Sequence, residues 1–194
     1  MAEQSTLFDG FSDNLDQLSE EIKSCKKCRL HENRKNAVPG EGDQRAKIML
    51  IGEAPGKQED EEGRPFVGRA GGTLEKLLKS VDLSRNDVFI TNVVKCRPPD
   101  NRDPKKDEIE TCRPYLEEQI ERIQPGLIVT LGNHATHTLI DKKGMKEIHG
   151  QRFEYEDITV IPMYHPAAAL YNPNLESTME EDMEVLKEME EVEG

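Results

Sequence analysis

The sequence predicts an α/β domain built on a mostly parallel sheet of about four strands. Three observations lead there. Four short apolar runs each stop at a glycine or a polar residue. The segments between them repeat their apolar residues at three- and four-residue spacing, and no fixed-period repeat interrupts the alternation. Strands alternating with helices bury a parallel sheet under helical cover, because each crossover returns the chain to the starting end.

Residues 1–24 read as an acidic tail leading into a short helix from Asn14 to Ser24. A basic turn and the loop Pro39-Gly40-Glu41-Gly42-Asp43 follow. Lys47-Ile48-Met49-Leu50-Ile51, stopped by Gly52, suits a buried strand. Gly71-Gly72 opens a helix with Leu74, Leu77, Leu78 and Val81 on one face. Val88 to Val94 is rich in β-branched residues and reads as the second strand. From Lys105 to Ile123, the residues Ile109, Cys112, Leu116, Ile120 and Ile123 keep helical spacing until Pro125-Gly126 ends the helix. Leu127 to Leu131 is the third strand, followed by a helix from Asn133 to Ile140 and a short hairpin around Ile148 to Asp157. Thr159 to Met163 is the fourth strand, ending before His165-Pro166, and residues 176–192 form a last acidic helix. The 194 residues suffice for one well-buried domain. Its body is expected at 22–175, between an acidic tail of 1–21 and a C-terminal helix of 176–194 that packs on or trails it.

The net charge of −13 is concentrated in the termini. Residues 1–21 carry −6 and residues 176–194 carry −8, which leaves the body at +1, with a local +5 over 22–48. Screening over about 8–10 Å lets such a body present a phosphate-binding face in spite of the acidic total. No apolar run approaches the roughly 20 residues of a membrane span. The N-terminus lacks the basic start and apolar stretch of a signal peptide, so a cytoplasmic protein is expected.

Ligands of open α/β sheets bind beyond the carboxyl ends of the strands. Gly52-Glu53-Ala54-Pro55-Gly56, Asn92 and His165 all fall at such ends and predict one pocket. The glycine loop is not a phosphate loop: its glycines stand one residue too close, and Gln58 occupies the Ser/Thr position. Four cysteines stand as Cys25-x2-Cys28, Cys96 and Cys112. Disulfides are disfavoured in the cytosol, and four thiolates can hold zinc or a [4Fe–4S] cluster; spacing leaves the metal open.

Gly52 to Gly56, Gly63-Arg64-Pro65-Phe66-Val67-Gly68-Arg69-Ala70-Gly71, Thr91-Asn92-Val93-Val94-Lys95-Cys96-Arg97-Pro98-Pro99-Asp100-Asn101-Arg102 and His165-Pro166-Ala167-Ala168-Ala169-Leu170 occur in that order, together with the four cysteines. This set resembles the family 4 uracil-DNA glycosylases, the iron–sulfur branch of their superfamily, from about Cys25 to Pro173. The resemblance implies a three-layer α/β/α sandwich around a four-stranded parallel sheet, and a [4Fe–4S] cluster on Cys25, Cys28, Cys96 and Cys112. It also implies excision of uracil from single- or double-stranded DNA, the first step of base excision repair; a monomer is expected.

The same resemblance places Gly52, Glu53, Ala54 and Pro55 against the flipped base, with Phe66 as its stacking face. Asn92 reads the base: one amide accepts from uracil N3–H and donates to O4. Cytosine reverses both polarities and would leave two unpaired groups, each costing ~1–3 kcal/mol. His165 donates to uracil O2, where the leaving group gathers charge. Better-known relatives carry an Asp where this chain has Ala54, so Glu53 and Asn101 are the candidates for directing water; an amide orients water but is no base. Arg64, Arg69, Arg97, Arg102, Lys105, Lys106 and the group Lys26, Lys27 and Arg29 are candidate phosphate contacts, and Leu170 is a candidate probe of the vacated stack. Outside the family match, Gln4, Leu7, Phe8 and Phe11 resemble a sliding-clamp interaction box, although Gly10 departs from its pattern. The competing reading is a non-catalytic iron–sulfur or zinc nucleic-acid-binding module in which Asn92 and His165 are structural.

Overall fold

The apolar runs form strands where the pattern places them, and the sheet extends past them on both sides. The computed structural model describes residues 6–187, with side chains described from residue 15 onward. Along the chain run α1 (Thr6–Ser24), β1 (Glu41–Gly42), β2 (Ile48–Gly52), α2 (Lys57–Glu62), α3 (Arg69–Ser80) and β3 (Phe89–Asn92). Then come α4 (Lys106–Ile123), β4 (Leu127–Leu131), α5 (Asn133–Ile140), α6 (Met145–Ile148), β5 (Phe153–Tyr155), β6 (Ile158–Met163), α7 (Ala167–Tyr171) and α8 (Leu175–Met183).

The sheet has six strands in the order β1-β3-β2-β4-β6-β5. Its inner four, β3-β2-β4-β6, are parallel and are the four predicted strands. The expected count of four is corrected by two short antiparallel edges, β1 on β3 and β5 on β6. An edge of two or three residues is held by backbone hydrogen bonds and carries too few side chains to show a period. The hairpin also shifts: Ile148 closes α6, and Phe153 pairs with Val160, so the second arm is the fourth strand itself.

Alternation along β2 shows how the layers form. Met49 and Ile51 face one core with Phe89, Ile128 and Val160, covered by Leu15, Leu18 and Ile22 of α1, Leu116 and Ile120 of α4, and Leu139 of α5. Ile48 and Leu50 face the other with Ile90, Val129 and Ile161, covered by Leu74, Leu77 and Leu78 of α3 and Met179 and Met183 of α8. Helices on both faces of one sheet make the three-layer sandwich.

Helix boundaries differ from expectation for local reasons. α1 begins at Thr6 rather than Asn14. α2 has one turn and a half of polar sequence and no apolar face to announce it. α3 starts at Arg69, which puts Gly71 and Gly72 inside its first turn rather than before it. A β-carbon on Gly71 would lie 1.8 Å from the Phe66 carbonyl oxygen, so glycine is required there by close approach. α8 ends at Met183, a turn at Glu184 interrupts it and 185–187 are helical again; the remainder of the expected helix, to 192, lies outside the described residues. Of the proposed clamp box, Gln4 and the side chains of Leu7, Phe8 and Phe11 lie outside the described residues. No helix among the described residues is long and apolar enough to cross a membrane.

Candidate active site

Strands β3 and β4 flank β2 on opposite sides, so the crossovers diverge at β2. That divergence opens a crevice beyond the carboxyl ends of the strands. A cleft of about 360 Å³ lies there, lined by Glu53, Ala54, Pro55, Phe66, Asn92, Asn101 and His165 among others. Residues expected at the site from separate stretches of sequence therefore come together in one place.

Gly52 closes β2 opposite Asn92 in register. A β-carbon on Gly52 would meet Asn92 Oδ1 at 2.4 Å and Phe66 Cζ at 2.7 Å, so only glycine lets both side chains reach the cleft floor. Asn92 is 2% exposed, and no hydrogen bond to its side-chain amide is found among the described residues. An amide left open at the floor of a cleft is a ready reader of a planar polar edge.

Phe66 sits at φ 50°, a left-handed conformation that costs a bulky residue about 1–3 kcal/mol. Its surroundings hold it there. Arg85 donates to the carbonyls of Phe66 at 2.9 Å and Pro65 at 2.6 Å, and is itself anchored on Glu41 at 2.5 and 2.8 Å. Glu59 accepts from the backbone N–H groups of Val67 at 3.0 Å and Gly68 at 2.8 Å. The ring stacks on His165, with centroids 5.6 Å apart and planes 29° apart.

His165 Nδ1 accepts from the Ala167 backbone N–H at 3.1 Å. In a neutral imidazole the remaining proton is then on Nε2, which makes that atom a donor. Burial pushes the His165 pKa down to about 4, with Glu59 pulling weakly the other way. The ring is thus a neutral hydrogen-bond donor at pH 7.

Glu53 is half-buried beside Asp103 and His134, with one ligand atom from each of the three lying within 4.8 Å of the others. Burial pushes the Glu53 carboxyl above its ordinary range, His134 pulls it down and Asp103 pushes it up. His134 is exposed, as its sequence position suggests, yet it stands in the first turn of α5 at the end of β4, on the rim of the cleft. Neither His134 nor Asp103 closes a strand or falls in a motif that the sequence marks, and only the fold brings them to Glu53. Asn101 lines the cleft, but its Oδ1 is occupied, accepting from Arg97 Nε at 2.7 Å.

The four cysteines are free. Their fields act on one another: Cys28 feels Cys25, Cys96 feels Cys28, and Cys112 feels both Cys25 and Cys28. Burial pushes the Cys96 thiol up to about 11. Two donors aim at the sulfurs: Arg34 Nη1 at Cys96 Sγ, 2.8 Å, and the Lys95 backbone N–H at Cys112 Sγ, 3.3 Å. Soft sulfur donors within one another's fields, one under a charge-assisted hydrogen bond from Arg34 and one under a backbone N–H, suit a thiolate-bound metal group. Among the described residues no three of these sulfurs lie within 4.8 Å of one another, wider than the ~3.8 Å that four sulfurs 2.3 Å from one zinc ion would keep.

Several expected phosphate contacts are engaged elsewhere. Arg64 pairs with Glu41, Arg102 holds Glu108 through two bonds of 2.7 and 2.8 Å, Arg29 pairs with Asp107, and Lys106 with Glu110. Arg102 and the backbone N–H of Lys105 draw the Glu108 carboxyl below its usual range, which fixes the loop that carries Asn101 and Asp103. Leu170 is half-buried, whereas the neighbouring Tyr171 is 89% exposed.

A mostly parallel sheet covered on both faces thus carries the cleft at its switch point. The family model of the uracil DNA glycosylase superfamily matches residues 39–188. The type-4 uracil-DNA glycosylase of Sulfurisphaera tokodaii is 52% identical over 187 residues, covering 91% of this chain and 85% of that protein. The Saccharolobus solfataricus protein of the same description is 53% identical over 186 residues, 91% of this chain and 86% of its own. That of Archaeoglobus fulgidus is 44% identical, at 91% and 94% coverage. The chain belongs to the type-4 uracil-DNA glycosylases.

Proposed function

We propose that this protein excises uracil from DNA, with Asn92 as base reader, Phe66 as stacking face and His165 as leaving-group donor. The observation that carries the reading is the open, buried amide of Asn92 facing the cleft under the Phe66–His165 stack. Extruding the base costs a few kcal/mol, and the pocket returns it by stacking and by pairing both polar atoms of the uracil edge. As the N1–C1′ bond breaks, its electron pair moves onto the uracil ring and charge gathers at O2. The His165 Nε2–H meets that charge without transferring its proton. Water oxygen bonds to C1′, and its proton leaves toward the ionised Glu53, whose charge also stabilises the cationic sugar.

The cysteines belong to this proposal as ligands of a [4Fe–4S] cluster. When bound, the group would tie the Cys25–Cys28 segment to Cys96 and Cys112 and hold the loop behind Asn92.

The test uses a uracil-containing oligonucleotide, single- or double-stranded, followed by alkaline cleavage. Strand scission is expected at uracil and not at cytosine, and Asn92→Ala is expected to lose it while remaining folded. An intact strand with wild-type protein would refute the activity; near-normal scission by Asn92→Ala would refute the pocket. The spacing of Gln4, Leu7, Phe8 and Phe11 further supports docking on a ring-shaped sliding clamp. A peptide of residues 1–14 should bind the clamp weakly, and Leu7→Ala plus Phe11→Ala should abolish binding; clamp binding by full-length protein that survives the double change refutes the box.

A further inference from the structure

Lys95 heads the largest fully buried side chains among the described residues, at 1% exposure, and the steps above make no use of it. Burying an ammonium costs several kcal/mol, and an apolar side chain of similar volume would fill the space more cheaply. No carboxylate is among its hydrogen-bond partners. Its Nζ donates instead to Thr91 Oγ1 at 2.6 Å, Gln119 Oε1 at 2.6 Å and the carbonyl oxygen of Asn92 at 2.8 Å. Three N–H groups meet three oxygens, the full capacity of an ammonium.

Those oxygens are themselves held. Thr91 Oγ1 and Gln119 Nε2 both donate to the Pro39 carbonyl, at 2.8 and 2.7 Å. The Lys95 carbonyl accepts from Val38 N–H at 2.7 Å, and its own N–H donates to Cys112 Sγ. One side chain thus gathers the 38–39 segment, α4 and the end of β3, and its bond to Asn92 falls on the residue that faces the cleft.

We propose that Lys95 is a positioning residue for the base: by holding the Asn92 carbonyl it sets the depth and direction of the amide that reads uracil. This rests on the reading of Asn92 given above. Strand pairing fixes β3 up to Asn92, where the ladder with β2 ends. Beyond that point Val93 N–H donates to the Gly52 carbonyl at 2.9 Å and Val94 N–H to the Glu53 carbonyl at 3.1 Å, and the Lys95 bond restrains the opposite, carbonyl side of the Asn92–Val93 peptide. A displacement of about 1 Å in a reacting geometry can cost roughly 10²-fold in rate, so the effect should appear in the chemical step.

The experiment is a double-mutant cycle on the full-length protein, read by single-turnover excision and by binding to DNA carrying a non-hydrolysable 2′-fluorinated deoxyuridine. Lys95→Met is expected to lower the single-turnover rate by about tenfold or more and to weaken analogue binding. Binding to undamaged DNA should stay as it is. In the Asn92→Ala background, where excision is lost, the same change should shift analogue binding by less than about twofold, because the amide it positions is gone. Equal losses in both backgrounds, or weaker binding to all DNA alike, would overturn the proposal and leave Lys95 a general support of the fold. Full excision by Asn92→Ala alone would overturn the base-reader reading, and this proposal with it. Should Lys95→Met fail to fold, Gln119→Leu removes one acceptor instead and should show a smaller loss with the same dependence on Asn92; independence from Asn92 would again overturn the proposal.

Discussion

Replacing His165 by Ala is expected to lower uracil excision by about 10²–10³-fold while the protein stays folded. The loss follows from removing a donor that is preorganised before the reaction begins. Phe66 stacks on one face of the ring, and Ala167 N–H occupies Nδ1, so Nε2 is aimed with its proton in place. The pH profile tests the same assignment. Burial holds His165 at a pKa of about 4, so its protonation should leave no break near pH 6.5, where an exposed imidazole would titrate. The acid limb should belong to Glu53. A carboxylate that must be ionised works above its pKa, and burial raises this one, so activity should fall at higher pH than an ordinary carboxyl would dictate. His134 pulls the Glu53 pKa down, hence His134→Ala should move the limb to still higher pH. Near-normal turnover by His165→Ala, or an acid limb unmoved in Glu53→Gln, would break the corresponding assignment.

Cys96→Ala is expected to lose the bound iron, seen as a lost absorption band near ~400 nm, and to destabilise the protein by about 3 kcal/mol. At this size that corresponds to a fall in Tm of roughly 6–12 °C. Cys96 Sγ accepts from Arg34, whose other amino nitrogen donates to the carbonyls of Lys23 at 2.9 Å and Cys25 at 2.8 Å. Losing the sulfur removes a ligand and also leaves this guanidinium, which binds the end of α1 to the cysteine segment, short of an acceptor. Full iron content and an unchanged melting temperature in Cys96→Ala would show that Cys96 is not a ligand. A zinc content in place of the band would replace the cluster with a different metal.

Much of this protein was legible along the chain. The four parallel strands were, because Ile48–Ile51, Phe89–Ile90, Leu127–Val129 and Val160–Ile161 are buried on both faces and are apolar throughout. The helices over 69–80 and 106–123 were, because a side chain's period along a helix is a property of its own sequence. The meeting of Asn92 and His165 at one cleft was, because both stand at the carboxyl ends of strands, where open α/β sheets leave their crevice. The tertiary structure alone decided the rest. Edge strands β1 and β5 pair through backbone groups that no side-chain pattern marks. Arg64 and Arg102 pair with Glu41 and Glu108, acids that only the fold brings within their reach. The left-handed Phe66 exists because Arg85, nineteen residues later, holds its carbonyl. The charge on Glu53 answers to Asp103 and His134, fifty and eighty-one residues away, and the buried Lys95 finds its third oxygen, on Gln119, only once α4 is packed in place. Hydrophobic period is written locally, whereas the energy of a charge depends on the distances to others and on the water excluded around it, and these come into being only when the chain is folded.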